Sequence, residues 1–143
     1  MQRSRRMETI VWLAAQAERD AAERLLSSRR ELDDLTHKLR QLHAGRDEYT
    51  ARLASGTAMS ALQMRELRHF IDKLNAAIGQ LERQIQHKQQ VNAEQQDAWV
   101  GRKRRTEALG DIAGRYRREE ARTAESRAQR ELDDRRVRRD TEL

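Results

Sequence analysis

The chain has 143 residues, 38% of them charged and 3% aromatic, with 36% apolar residues drawn largely from Ala and Leu, no Pro and no Cys. So little bulky apolar material argues against a thick globular core, and the missing thiols exclude disulfides and thiolate metal sites. The net charge of +6 arises from 30 basic residues, 26 of them Arg, interspersed with 24 acidic ones, which suits an acidic protein, nucleic acid or anionic lipid as partner.

At the N-terminus, "RSRR" precedes "METIVWLAA", but Glu8 and Thr9 break the apolar run and charged helix follows Ala15, which is unlike a secretory signal. Nowhere does an apolar stretch approach the roughly 20 residues that span a bilayer, so a soluble or peripheral protein is expected.

Leu, Ala, Gln, Glu and Arg are strong helix formers, and the fold expected is all-α. In a first arm, residues 1–54, a seam recurs in alternating steps of three and four at Leu25, Ser28, Leu32, Leu35, Leu39, Leu42, Arg46, Tyr49 and Leu53. Ile10, Ala14, Ala17 and Ala21 continue it upstream through a stutter. Residues 55–60, "SGTAMS", are the one cluster of helix-breaking and capping types: Ser55 and Gly56 end the first helix, the glycine tolerating a left-handed conformation, and Ser60 is placed to cap the next.

The second arm, residues 61–120, carries Leu67, Ile71, Leu74, Ile78, Leu81 and Ile85, then Lys88, Asn92, Gln95, Trp99, Arg102, Thr106, Leu109, Ala113 and Tyr116 in the same phase. A period of 3.5 held this long predicts a coiled coil, and a short connector makes the arms antiparallel. The expected architecture is an antiparallel coiled-coil hairpin with the longer helix second. A pivot near residue 58 makes facing positions sum to about 116, Leu42 opposite Leu74 and Leu35 opposite Leu81. Beyond about Leu109 the second arm then lacks a partner, and residues 121–143 form a polar extension, projecting, frayed or docked on another protein. A monomer is expected in isolation, although either arm could zip to a second chain.

No chemistry-bearing motif survives inspection. His37, His43, His69 and His87 include no pair at helical metal-ligand spacing, there is no phosphate loop, and two helices close around no substrate, so neither enzyme activity, metal nor cofactor is expected. The "RKRR" of residues 102–105 lies inside a longer helix with Glu107 and Asp111 just beyond, unlike the basic stretch of a zipper that reads DNA, which favours a solvated or acidic-partner-binding face over nucleic acid. Trp99 lies on the seam. Trp12 lies off it beside Leu13, where the pair can anchor a partner. Phe70, Leu74, Ala77 and Leu81 form one stripe of the second arm, with Phe70 and Ala77 beside the seam.

Taken in order, "DAAERLL" at 20–26, "RR" at 29–30, "EYTARLAS" at 48–55, the "MS" of the turn, "FIDKLNAAI" at 70–78, and Trp99 followed by "RKRR" resemble the flagellar type III export family FliJ, over about residues 7–120. The family is related in architecture to the YscO-type stalks of injectisomes. The resemblance implies a non-enzymatic component of the export apparatus, cytoplasmic and peripheral to the inner membrane through its partners. It implies association with the hexameric ATPase FliI, in whose ring the family is thought to sit as the γ subunit does in rotary ATPases. By that likeness the end carrying Trp12, Leu13, Trp99, Arg102, Lys103 and Arg105 enters the ring. It also implies contact with the export gate FlhA through Phe70, Leu74, Ala77 and Leu81, the last being His in some members, and escort of export chaperones. A generic coiled-coil scaffold or dimer, and a basic nucleic-acid binder, are the competing readings of the residues alone.

Overall fold

The computed structural model describes residues 2–55 and 58–142. Two helices account for nearly all of them, α1 over Arg3–Ala54 and α2 over Ala61–Glu142. The start of α2 is fixed by a reciprocal capping box: Gln63 N donates to Ser60 Oγ at 3.1 Å, and Ser60 N donates to Gln63 Oε1 at 3.0 Å. At the end of α1, Ser55 N donates to the Ala51 carbonyl at 2.9 Å, prolonging the helical pattern by one bond. The left-handed role expected of Gly56 falls outside the described residues.

The chain divides into two compact units, one of residues 1–21 with 99–143, the other of residues 22–98. In the second of these, α1 and α2 run antiparallel, and Leu25, Ser28, Ile78, Leu81 and Ile85 are buried between them. Polar contacts flank this seam, Arg29 donating to Gln96 Oε1 at 2.7 Å and Lys88 pairing with Glu31. Tyr49 meets Phe70 edge to face at 5.0 Å between ring centroids. In the other unit the helices are again antiparallel. Ser4 and Ala113 are buried, and the interface between them is made of half-buried residues such as Val11, Ala14, Ala17, Leu109 and Tyr116.

The register differs from the expected one. Glu31 with Lys88 sums to 119, Ser4 with Glu120 to 124 and Arg29 with Gln96 to 125, whereas a pivot at residue 58 requires about 116. The difference is about one heptad, which brings Leu42 level with Leu81 instead of Leu74. A slip of seven residues returns seam to seam, so periodicity alone cannot choose between the two. Near the turn the cause is visible: Tyr49 and Arg52 of α1 share a groove with Gln63, Glu66, Leu67 and Phe70, so the first turn of α2 runs past the end of α1.

The same shift moves the start of the unpartnered segment. Leu109, Ala113, Tyr116 and Glu120 are all half-buried or buried, and exposure becomes continuous only from Ala121 to Glu142, which remains helical.

Candidate functional site

Among the described residues no group of three or more His, Asp or Glu could hold a metal ion. Two surfaces, one in each unit, carry the side chains singled out from the sequence.

In the unit of residues 22–98, the stripe of α2 is unevenly presented. Phe70 is 43% exposed, Ala77 is exposed and Leu74 half-buried, but Leu81 is only 9% exposed and belongs to the seam against α1. The surface available on this side is therefore centred on Phe70. Its ring is held edge-on by Tyr49 of α1 at an interplanar angle of 82°, and the Arg52 guanidinium lies 5.3 Å from the Tyr49 centroid. Tyr49 was legible as a seam residue and Arg52 was not legible at all, because their adjacency to Phe70 depends on the register.

In the other unit Trp12 and Leu13 stand out at 60% and 56% exposure, with Ile10, a seam position in the sequence, at 42%. Trp12 borders a groove with Glu8, Val11, Gly110, Ala113 and Arg117. Leu13 borders another with Ala14, Ala17, Arg102, Arg105 and Leu109. Trp99 is half-buried, as a space-filling seam residue should be, with the Lys103 ammonium 5.4 Å from its ring centroid. Arg102, Lys103 and Arg105 are exposed; the structure brings Arg102 and Arg105 to one groove with the Leu13 side of α1, leaves Lys103 over Trp99, and places Trp12 beside Arg117, a residue the sequence reading did not single out.

The N-terminus of α1 shows how this surface is held. Its first turn contains no acidic residue to balance the helix dipole, and its amide groups lack intrahelical acceptors. Glu120 of α2 supplies both needs: Ser4 Oγ donates to its carboxylate at 2.6 Å and Ser4 N at 3.2 Å. The Ser4 hydroxyl is the main cause that holds the Glu120 carboxyl below its ordinary value of 4.5. Burial opposes it, and the amides of Ser4 and Arg3 assist. A lowered folded-state value means the stabilisation is complete above the unfolded value and is lost as pH falls through the folded one. Exchange of the Ser4 amide should therefore be slow at neutral pH and lose protection below about pH 4.5. In Glu120→Gln it should be fast at both, without the acid step.

Two long antiparallel helices packed on a 3.5-residue seam define a coiled-coil hairpin protein. The family model described as the flagellar FliJ protein matches residues 2–140, so the chain belongs to that family, components of the flagellar type III protein export apparatus. No curated protein and no solved structure matches the chain.

Proposed function

We propose that the protein is a non-enzymatic stalk of the export apparatus, which engages the FliI ATPase ring through the unit of residues 1–21 and 99–143 and the FlhA export gate through the Phe70 surface, and which escorts export chaperones. It acts at the cytoplasmic face of the inner membrane. No helix among the described residues is long and apolar enough to cross a membrane, and attachment there goes through partners.

The observation that carries this reading is the exposure of Trp12 and Leu13 beside Arg102, Arg105 and Arg117. Exposed aromatic and aliphatic anchors beside arginines are the residue types that dominate protein interfaces. The gate surface is supported by Phe70, whose ring is oriented by Tyr49 while still open to solvent.

The test is the ATPase rate and ring assembly of cognate FliI, titrated with the wild-type protein and with Trp12→Ala, Leu13→Ala, Trp99→Ala combined. Loss of such anchors costs about 2–4 kcal/mol, so the concentration giving half-maximal stimulation should rise by about 30-fold or more while the circular dichroism stays helical. An unstimulated ATPase with the wild-type chain removes the stalk function.

A further inference from the structure

The positive charge of the chain is not spread evenly. Residues 1–21 and 99–122 hold 12 basic and 7 acidic side chains, net +5, whereas the remaining residues hold 18 and 17, net +1. Among the described residues, every ion pair lies within residues 22–98, so none of those 12 cationic groups is neutralised by a carboxylate partner. The Glu120 carboxylate, which could have served, is engaged by Ser4.

The exposed apolar side chains lie in the same place. Arg5 and Trp12 are seven residues apart on α1, as are Arg6 and Leu13, so each pair shares one side of the helix, and all four are exposed. From α2, Arg117 borders the Trp12 groove, which Glu8 of α1 also lines, and Arg105 borders the Leu13 groove. Each apolar side chain is thereby flanked by guanidinium groups from both helices.

We propose that this unit carries a docking face for an anionic lipid bilayer, with Trp12 and Leu13 entering the headgroup boundary and Arg5, Arg6, Arg105 and Arg117 meeting lipid phosphates. Indole is favoured at that boundary, and an exposed apolar pair with arginines on either side, outnumbering the single Glu8, is the arrangement of interfacial helices. Duplex nucleic acid satisfies the arginines but offers nothing to Leu13 and Ile10. An acidic protein satisfies the charge, but a fluid bilayer alone accepts this convex apolar pair without a matching pocket. The inference does not rest on the ATPase assignment. It adds direct lipid contact to an attachment otherwise made through partners, and because the faces overlap, lipid and ATPase ring would compete for Trp12 and Leu13.

The experiment uses the full chain alone, sedimented with vesicles of phosphatidylglycerol and phosphatidylcholine in equal parts, or of phosphatidylcholine only. Binding should be confined to the anionic vesicles and weaken as salt rises. In Trp99→Phe, which leaves Trp12 as the single indole, emission should shift to the blue on binding. Arg5→Gln, Arg6→Gln, Arg117→Gln combined should weaken partitioning by about 100-fold, about fivefold for each arginine. Trp12→Ala, Leu13→Ala combined should weaken it at least tenfold at unchanged helix content, on the order of one buried apolar side chain. Failure to bind anionic vesicles would overturn the proposal in favour of an acidic protein partner. Equal binding to both vesicle types would overturn it too, as would binding that duplex DNA displaces and that Trp12 and Leu13 do not affect. ATPase stimulation is read separately, so failure of one reading leaves the other measurable.

Discussion

Leu81→Ala should lower the stability of the protein by about 2–4 kcal/mol and its thermal midpoint by roughly 10 °C, read by circular dichroism in heat and urea. Leu81 is 9% exposed and lies with Ile78 and Ile85 in the most deeply buried part of the seam, where truncation leaves a cavity between two helices that cannot close on it. Phe70→Ala should cost about 1 kcal/mol, because the ring is 43% exposed and gives up chiefly its edge contact with Tyr49. The pair separates folding from recognition on the stripe implied by the family resemblance. If that stripe meets the export gate, Phe70→Ala should weaken binding in a protein that remains folded, and Leu81→Ala should weaken it only in proportion to the helix lost. Equal stability of the two variants would contradict the burial of Leu81.

The second large effect has the opposite sign. Ser28 is 3% exposed, and its Oγ, like Gln95 Oε1, is buried without a hydrogen-bond partner. A buried polar atom left unsatisfied costs about 1–3 kcal/mol, so Ser28→Ala with Gln95→Leu should stabilise the chain by about 2–4 kcal/mol, seen as a higher urea midpoint. The two positions sum to 123, the observed register, and a polar layer at one level of a coiled coil penalises slipped alignments. The stabilised variant should therefore lose some uniqueness of pairing, detectable as dimers in light scattering at high concentration. A destabilised double variant would mean that these atoms are satisfied in solution.

The helices and their seam could be read from the chain because a 3.5-residue period is a local property. Of the positions assigned to the seam, Ile10 and Arg102 alone are exposed. The Ser60 cap was equally legible, since its partner Gln63 stands three residues away. What could not be read was which heptad faces which. That choice is made by relations across the two helices, such as Ser4 with Glu120 and Trp12 beside Gly110, at sequence separations no local pattern reports. The surfaces inherited the same difficulty: Trp12 and Leu13 were identifiable as off-seam residues, but Arg117 and Tyr49 acquire their place only once the register is known.

The thinness of the buried seam also governs how the protein responds to temperature. Among the described residues five apolar ones, Leu25, Ile78, Leu81, Ile85 and Ala113, are buried, none of them completely, and the heat capacity of unfolding follows the apolar surface exposed. Its value per residue should fall below the usual 12–15 cal/mol/K, about the globular norm. The curve of stability against temperature is then shallow, with cold and heat denaturation far apart. Such a protein has little stability to lose between a cool and a warm environment, which suits a part that must stay folded wherever a swimming cell goes.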